Sequence, residues 1–145
     1  MKPIVTWIVL ANARSARVLA NSGPGKGLSA VGDQHWQAPE AGTPNDRAGV
    51  GHSSAGPGIS AVEQTDRQAM NDAEFARDVA NHLSTALAAK RFDRLVLVAG
   101  PHMLGLLRAH LNESVRASVL GEIPKDLSAQ SLSNLETHLG EFIAV

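Results

Sequence analysis

The sequence predicts an α/β fold built on a single mixed five-stranded sheet. Two observations carry that expectation. The first 37 residues hold three short strand-like runs separated by turn residues, and the last 80 or so alternate helical periodicity with apolar runs. Between them lies a long polar stretch, residues 38–60, with almost no large apolar side chain. Such a stretch cannot bury enough surface to form a core of its own, and a connection this long inside a domain is usually functional or disordered.

The first run, residues 4–11, is rich in β-branched side chains and reads as a buried strand. Lys2, this run and Ala11-Asn12-Ala13 together copy the outline of a signal peptide. The run is short for that role, Thr6 and Trp7 interrupt it, and a strand pattern continues directly behind it. Residues 12–15 form a turn and residues 16–20 the returning strand of a hairpin. A turn rich in glycine at 21–27 leads to a third strand at 28–37. On that strand Val31, His35 and Gln37 are expected on one face, with Leu28, Ala30 and Trp36 towards the other.

Beyond the polar stretch a helix is expected to start between Asp66 and Asn71, where Asp66 can cap it and Asn71 with Glu74 offers a second start. Phe75, Val79, Leu83 and Leu87 recur every four residues along it. Residues 95–99 (LVLVA) are apolar without alternation, as in a parallel strand covered on both faces. Gly100-Pro101 ends that strand and suits a helix start. Met103, Leu104, Leu106, Leu107 and Leu111 form the next buried stripe. A short helical stretch at 113–117, a fifth strand at 119–123 and a last helix capped by Ser128 follow. On the last helix Leu132, Leu135 and Leu139 make the apolar line. Three antiparallel strands followed by helix–strand–helix–strand–helix is the element order of the ribonuclease H-like class.

The length suits one domain spanning residues 1–145. Net charge is −1, so nucleic-acid binding must come from a local patch and not from a basic domain. The absence of cysteine excludes disulfides and thiolate metal sites. No run approaches the roughly 20 apolar residues of a membrane helix. A metal-dependent nuclease would need clustered carboxylates, yet the first strand holds no acid, and Asp33 and Glu122 read as surface groups. The six histidines lack metal-binding spacing. No metal and no cofactor is therefore expected. Among the histidines, His102 stands beside a helix N-terminus at the end of a parallel strand, where α/β sheets favour ligands. Arg14, Arg17, Lys26 and Arg47 could form a phosphate-contacting patch if the polar stretch folds back along the hairpins. A solvated hairpin surface is the plainer reading of the same charges.

Six segments carry a family resemblance: residues 11–18 (ANARSARV), 45–49 (NDRAG), 74–80 (EFARDVA), 92–101 (FDRLVLVAGP), 104–108 (LGLLR) and 122–128 (EIPKDLS). In these the chain resembles the bacterial host-attachment proteins, also described as bacterial relatives of archaeal and eukaryotic peptide release factors. The resemblance implies the ribonuclease H-like central domain of release factors and Pelota-type rescue factors. In release factors a Gly-Gly-Gln tip between the third strand and the long helix promotes ester hydrolysis. The corresponding stretch here contains no Gly-Gly-Gln.

The resulting expectation is a non-catalytic, cytoplasmic binding module that contacts the ribosome or tRNA through residues 45–60, with no membrane partner. Arg47 would contact phosphate, Gly49 and Gly51 would permit close backbone approach, and Arg14 and Arg17 would extend the patch. The resembling segments add Asp46, Lys125 and Asp126 as candidate binding residues. Two alternatives stand beside this: a hydrolase acting through His52 or His102, and a factor indirectly required for attachment to host cells.

Overall fold

The computed structural model describes residues 3–39, 57–143 and 145, with side chains of the first helix described from Asp66 onward. The elements are β1 (Thr6–Ala11), β2 (Ser15–Asn21), β3 (Ser29–Gln37), α1 (Pro57–Ala88), β4 (Arg94–Ala99), α2 (Pro101–His110), α3 (Glu113–Ser118), β5 (Val119–Ile123) and α4 (Leu132–Leu139). The five strands form one sheet in the order β3-β2-β1-β4-β5. β1 pairs antiparallel with β2, as β2 does with β3, whereas β1–β4 and β4–β5 are parallel. The predicted mixed sheet is therefore present, in an arrangement compatible with the ribonuclease H-like class.

The two central strands explain their own sequence. Period-two alternation sends Trp7, Val9 and Ala11 of β1, with Leu95, Leu97 and Ala99 of β4, to one face. Ile8 and Leu10, with Val96 and Val98, go to the other. Both faces are covered, so both strands are apolar beyond their first residues, Thr6 and Arg94. The first face packs against Phe75, Val79 and Leu83 of α1, Met103, Leu104 and Leu107 of α2, and Val115 of α3. The second is closed by Leu135 and Leu139 of α4 with Ile123 and Leu127.

Three local expectations change. First, α1 begins at Pro57, well before Asp66. Proline fits a first helical turn, where its missing N–H is not needed. Ala61, Glu63, Gln64, Arg67, Gln68, Ala69 and Met70 are good helix formers that carry no apolar stripe. Periodicity detects the buried part of a helix, and among the described side chains of α1 the first buried one is Asp72. Residues 57–60 of the predicted loop are thus helical, and residues 40–56 lie outside the described residues.

Second, the register between β2 and β3 shifts between Arg17 and Leu19, which pair with His35 and Ala30. The extra β3 residues form a bulge that breaks the alternation. Val31 and Trp36, expected on opposite faces, consequently both pack on the first core. Trp36 stacks on His82 of α1, with ring centroids 4.5 Å apart.

Third, Ser131 and not Ser128 caps α4, accepting from the Asn134 N–H at 3.2 Å. Leu132 then falls in the first turn and stays 45% exposed.

At its far end α1 closes with Lys90 at φ 60°, a left-handed residue that is not glycine. The Lys90 N–H reaches the Leu87 carbonyl at 2.9 Å and the Arg91 N–H the Ala86 carbonyl at 3.0 Å. These two bonds make a Schellman turn. The turn delivers Arg91 to the edge strand. Its guanidinium donates to both carboxylate oxygens of Asp33, at 2.7 and 2.8 Å, and lies 5.2 Å from the Trp7 ring centroid. The Arg91 bonds hold the Asp33 carboxyl down at about 2.

Candidate functional site

β1, β4 and β5 run parallel, so their C-terminal ends share one edge of the sheet. The segments leaving that edge are the 12–15 turn, Gly100–His102 and residues 124–128. The predicted residues that lie within the described part of the chain fall on these segments or at the start of β2.

The first cluster is organised by Asn12. Its side-chain oxygen accepts the backbone N–H groups of Arg14 and Ser15 at 2.8 and 2.9 Å, fixing the turn. Its amide donates across the edge to the Ser128 hydroxyl at 3.0 Å. The Ser128 hydroxyl and N–H in turn donate to one oxygen of Asp126, at 2.5 and 3.0 Å. The Ser128 hydroxyl, with its backbone N–H and the Asn12 amide, holds the Asp126 carboxyl below its ordinary range, against a smaller opposing effect of burial. Arg17 donates to the Ser128 carbonyl at 3.2 Å. The structure therefore gives Arg17 a bracing contact, where the sequence suggested phosphate. Arg14 and Lys125 differ. Both are exposed, and neither side chain has a partner among the described residues.

The second cluster lies one strand over, since Ala11 and Ala99 are paired neighbours. Gly100 opens α2 without a side-chain cap, and Pro101 takes the first position. His102 presents Nε2 to Asp72 Oδ2 at 3.2 Å, while Gln68 donates to Asp72 Oδ1 at 2.7 Å. The Asp72 side chain is only 8% exposed and that of His102 67%. Such a pair can hold an imidazole in one orientation with its other nitrogen open to solvent.

Of the predicted site residues, Arg17 and Asp126 bond to Ser128, and Arg14 and Lys125 lie on the two segments joined by the Asn12–Ser128 bond. His102 sits on the adjoining strand end, and Lys26 lies at the opposite edge. Asp46, Arg47, Gly49, Gly51 and His52 lie outside the described residues. Asp33 and Glu122 are on opposite edge strands, paired with Arg91 and Arg108. Sequence reasoning missed Asn12, Gln68 and Asp72, and gave Ser128 the wrong task. Asp72 left a signal: it precedes Phe75, Ala76 and Val79 by three, four and seven residues, on the apolar stripe itself.

The fold and this edge define a mixed α/β domain with a polar, hydrogen-bonded rim at the ends of its parallel strands. A family model described as "Protein required for attachment to host cells" matches residues 7–139. The chain belongs to that family. No curated protein matched the sequence. Among the described residues, no helix is long and apolar enough to cross a membrane.

Proposed function

We propose that the protein serves attachment to host cells as a non-catalytic binding module, and that it meets its partner with the rim around Asn12 and Ser128. Family membership supplies the process. The observation that carries the mechanism is the contrast within the rim: Asn12, Arg17, Asp126 and Ser128 are committed to one another, whereas Arg14 and Lys125 are held beside them with free cationic heads. A rigid frame presenting unpaired cations suits an anionic partner group. The test is an attachment assay in cells carrying Arg14→Glu with Lys125→Glu. The reading expects attachment to fall while the purified variant keeps its fold. Wild-type attachment by the folded variant would refute it.

The finer reading makes that partner group the phosphate backbone of tRNA or the ribosome, with attachment affected at one remove from a cytoplasmic site of action. The family resemblance of the segments at 11–18 and 122–128 favours it, as does the position of Arg14 and Lys125 on those segments. Ribosome co-sedimentation across a salt series decides: association that weakens steeply with salt is expected, and none at low salt rejects it. A hydrolytic reading has one observation in its favour, the oriented His102–Asp72 pair. His102→Ala that leaves every detected hydrolytic activity intact would remove it.

A further inference from the structure

The opposite edge of the sheet, where β1 and β4 begin, holds a cleft of about 570 Å³ that the rim does not use. Its floor crosses three strands, because Thr6 pairs with Asn21 on one side and Arg94 on the other. Ile4, Phe142 and Ile143 contribute apolar lining, and Lys26 and Arg94 line it as well. No carboxylate lines it. Asp93, next in sequence to Arg94, is engaged with the Val5 N–H at 2.8 Å. The side chains of Lys26 and Arg94 have no partner among the described residues. Thr6 is 3% exposed and forms part of the floor.

The walls are built and not incidental. Asn21 spends its whole side chain on the 22–27 loop, donating to the Gly27 carbonyl at 2.8 Å and accepting from the Gly23 N–H at 3.1 Å. Gly23, Gly25 and Gly27 all take positive φ, which lets the loop that carries Lys26 turn tightly. On the other wall the Phe142 ring rests directly on Gly121 of β5. A methyl group there would stand 2.3 Å from the ring.

We propose that this cleft binds a small amphipathic anion, a single carboxylate or phosphate head on an apolar body. Lys26, Arg94 and the Thr6 hydroxyl take the head, and Ile4, Phe142 and Ile143 take the body. The volume is that of a small-ligand site, and the charge complementarity selects the anion. The inference is independent of the rim and of the attachment reading.

The experiment follows backbone amide resonances of the full chain during titration with decanoate and with decyl phosphate, both kept below micelle formation. Decanol and inorganic phosphate serve as the body and the head alone. Saturable shifts at Thr6, Asn21, Lys26 and Ile143 are expected with both alkyl anions, and the tighter of the two assigns the head. Lys26→Gln with Arg94→Gln should weaken binding roughly tenfold or more, as expected for losing charge-assisted bonds. Both side chains are exposed, so folding is not at stake, and unchanged dispersion of the remaining resonances verifies it. Phe142→Ala supplies a second, charge-neutral test and should weaken both anions together. The proposal is overturned if no alkyl anion gives saturable shifts, if decanol binds as tightly as decanoate, or if the double variant binds unchanged.

Discussion

The two faces of the sheet are covered very differently. One carries α1, α2 and α3, with Phe75, Leu83, Phe92, Leu97 and Leu107 in a broad shared core. The other carries α4 and the chain that follows it, over Ile8, Leu10, Val96, Val98 and Leu139. Yet β1 and β4 are equally apolar towards both. The difference teaches that the thick face supplies most of the burial that offsets chain entropy, while the thin face relies more on the segments that border its helix. Around the thin face lie the 124–128 segment, bonded to Asn12 and Arg17, and Phe142 and Ile143 at the cleft.

Substitutions of matched leucines give the strongest test of that contrast. Leu83 and Leu135 are both fully buried, one on each face. Leu83→Ala should cost about 4 kcal/mol in urea unfolding, because neighbours from several elements cannot collapse into the hole. Leu135→Ala should cost about 2–3 kcal/mol, because a single short helix can settle towards the sheet. A larger loss at Leu135 than at Leu83 would break the comparison.

Gly121→Ala sharpens it by adding volume in place of removing it. The new methyl must displace Phe142, for a cost of about 1–3 kcal/mol. Amide exchange should quicken at residues 140–143 and stay unchanged in α1. Asn12→Ala removes the turn contact and the bond to Ser128 together. A loss of about 1–2 kcal/mol is expected in thermal or urea melts, with faster exchange confined to residues 12–15 and 124–128.

The mildest effect is electrostatic. Asp33 has its carboxyl lowered from 3.8 to about 2, chiefly by its hydrogen bonds from Arg91. A group lowered on folding contributes stability above its unfolded pKa and loses it as pH falls through the folded one. Its contribution is therefore present above about pH 4 and gone below about pH 2. The pair is exposed, so salt weakens it. A carboxyl titration should place Asp33 near 2 in the wild type and near 3.8 in Arg91→Ala. No change on removing Arg91 would dismiss the assignment.

Much of the architecture was legible because local pattern and tertiary burial agree. The unbroken apolarity of 95–99 announced a strand covered twice, and Gly100-Pro101 marked where it stops and α2 begins. Legibility failed wherever the determining contact was distant or absent. The β3 bulge changes the partner of a whole segment without leaving a proline or an internal repeat to mark it. Ser128 looked like a helix cap because its bond to Asn12, 116 residues away in sequence, cannot be read locally. From Asp66 to Asn71 no described side chain of α1 is buried, so the apolar stripe becomes readable only from Asp72 onward. The site was legible in part: Arg14, Lys125, Asp126 and His102 were singled out, whereas Asp72 needed attention to an acid on an apolar stripe.

The Schellman turn at Lys90 has a mechanical consequence. A helix of 32 residues is about 48 Å long, and every buried side chain described for it lies from Asp72 onward. Past its last turn, Arg91 is clamped between Trp7 and Asp33. The described buried side chains thus tie the helix to the domain from its midpoint to its end, with the Asp72–His102 contact joining it to α2. Arg91→Ala should therefore quicken amide exchange in edge strand β3 as well as in the last turn of α1.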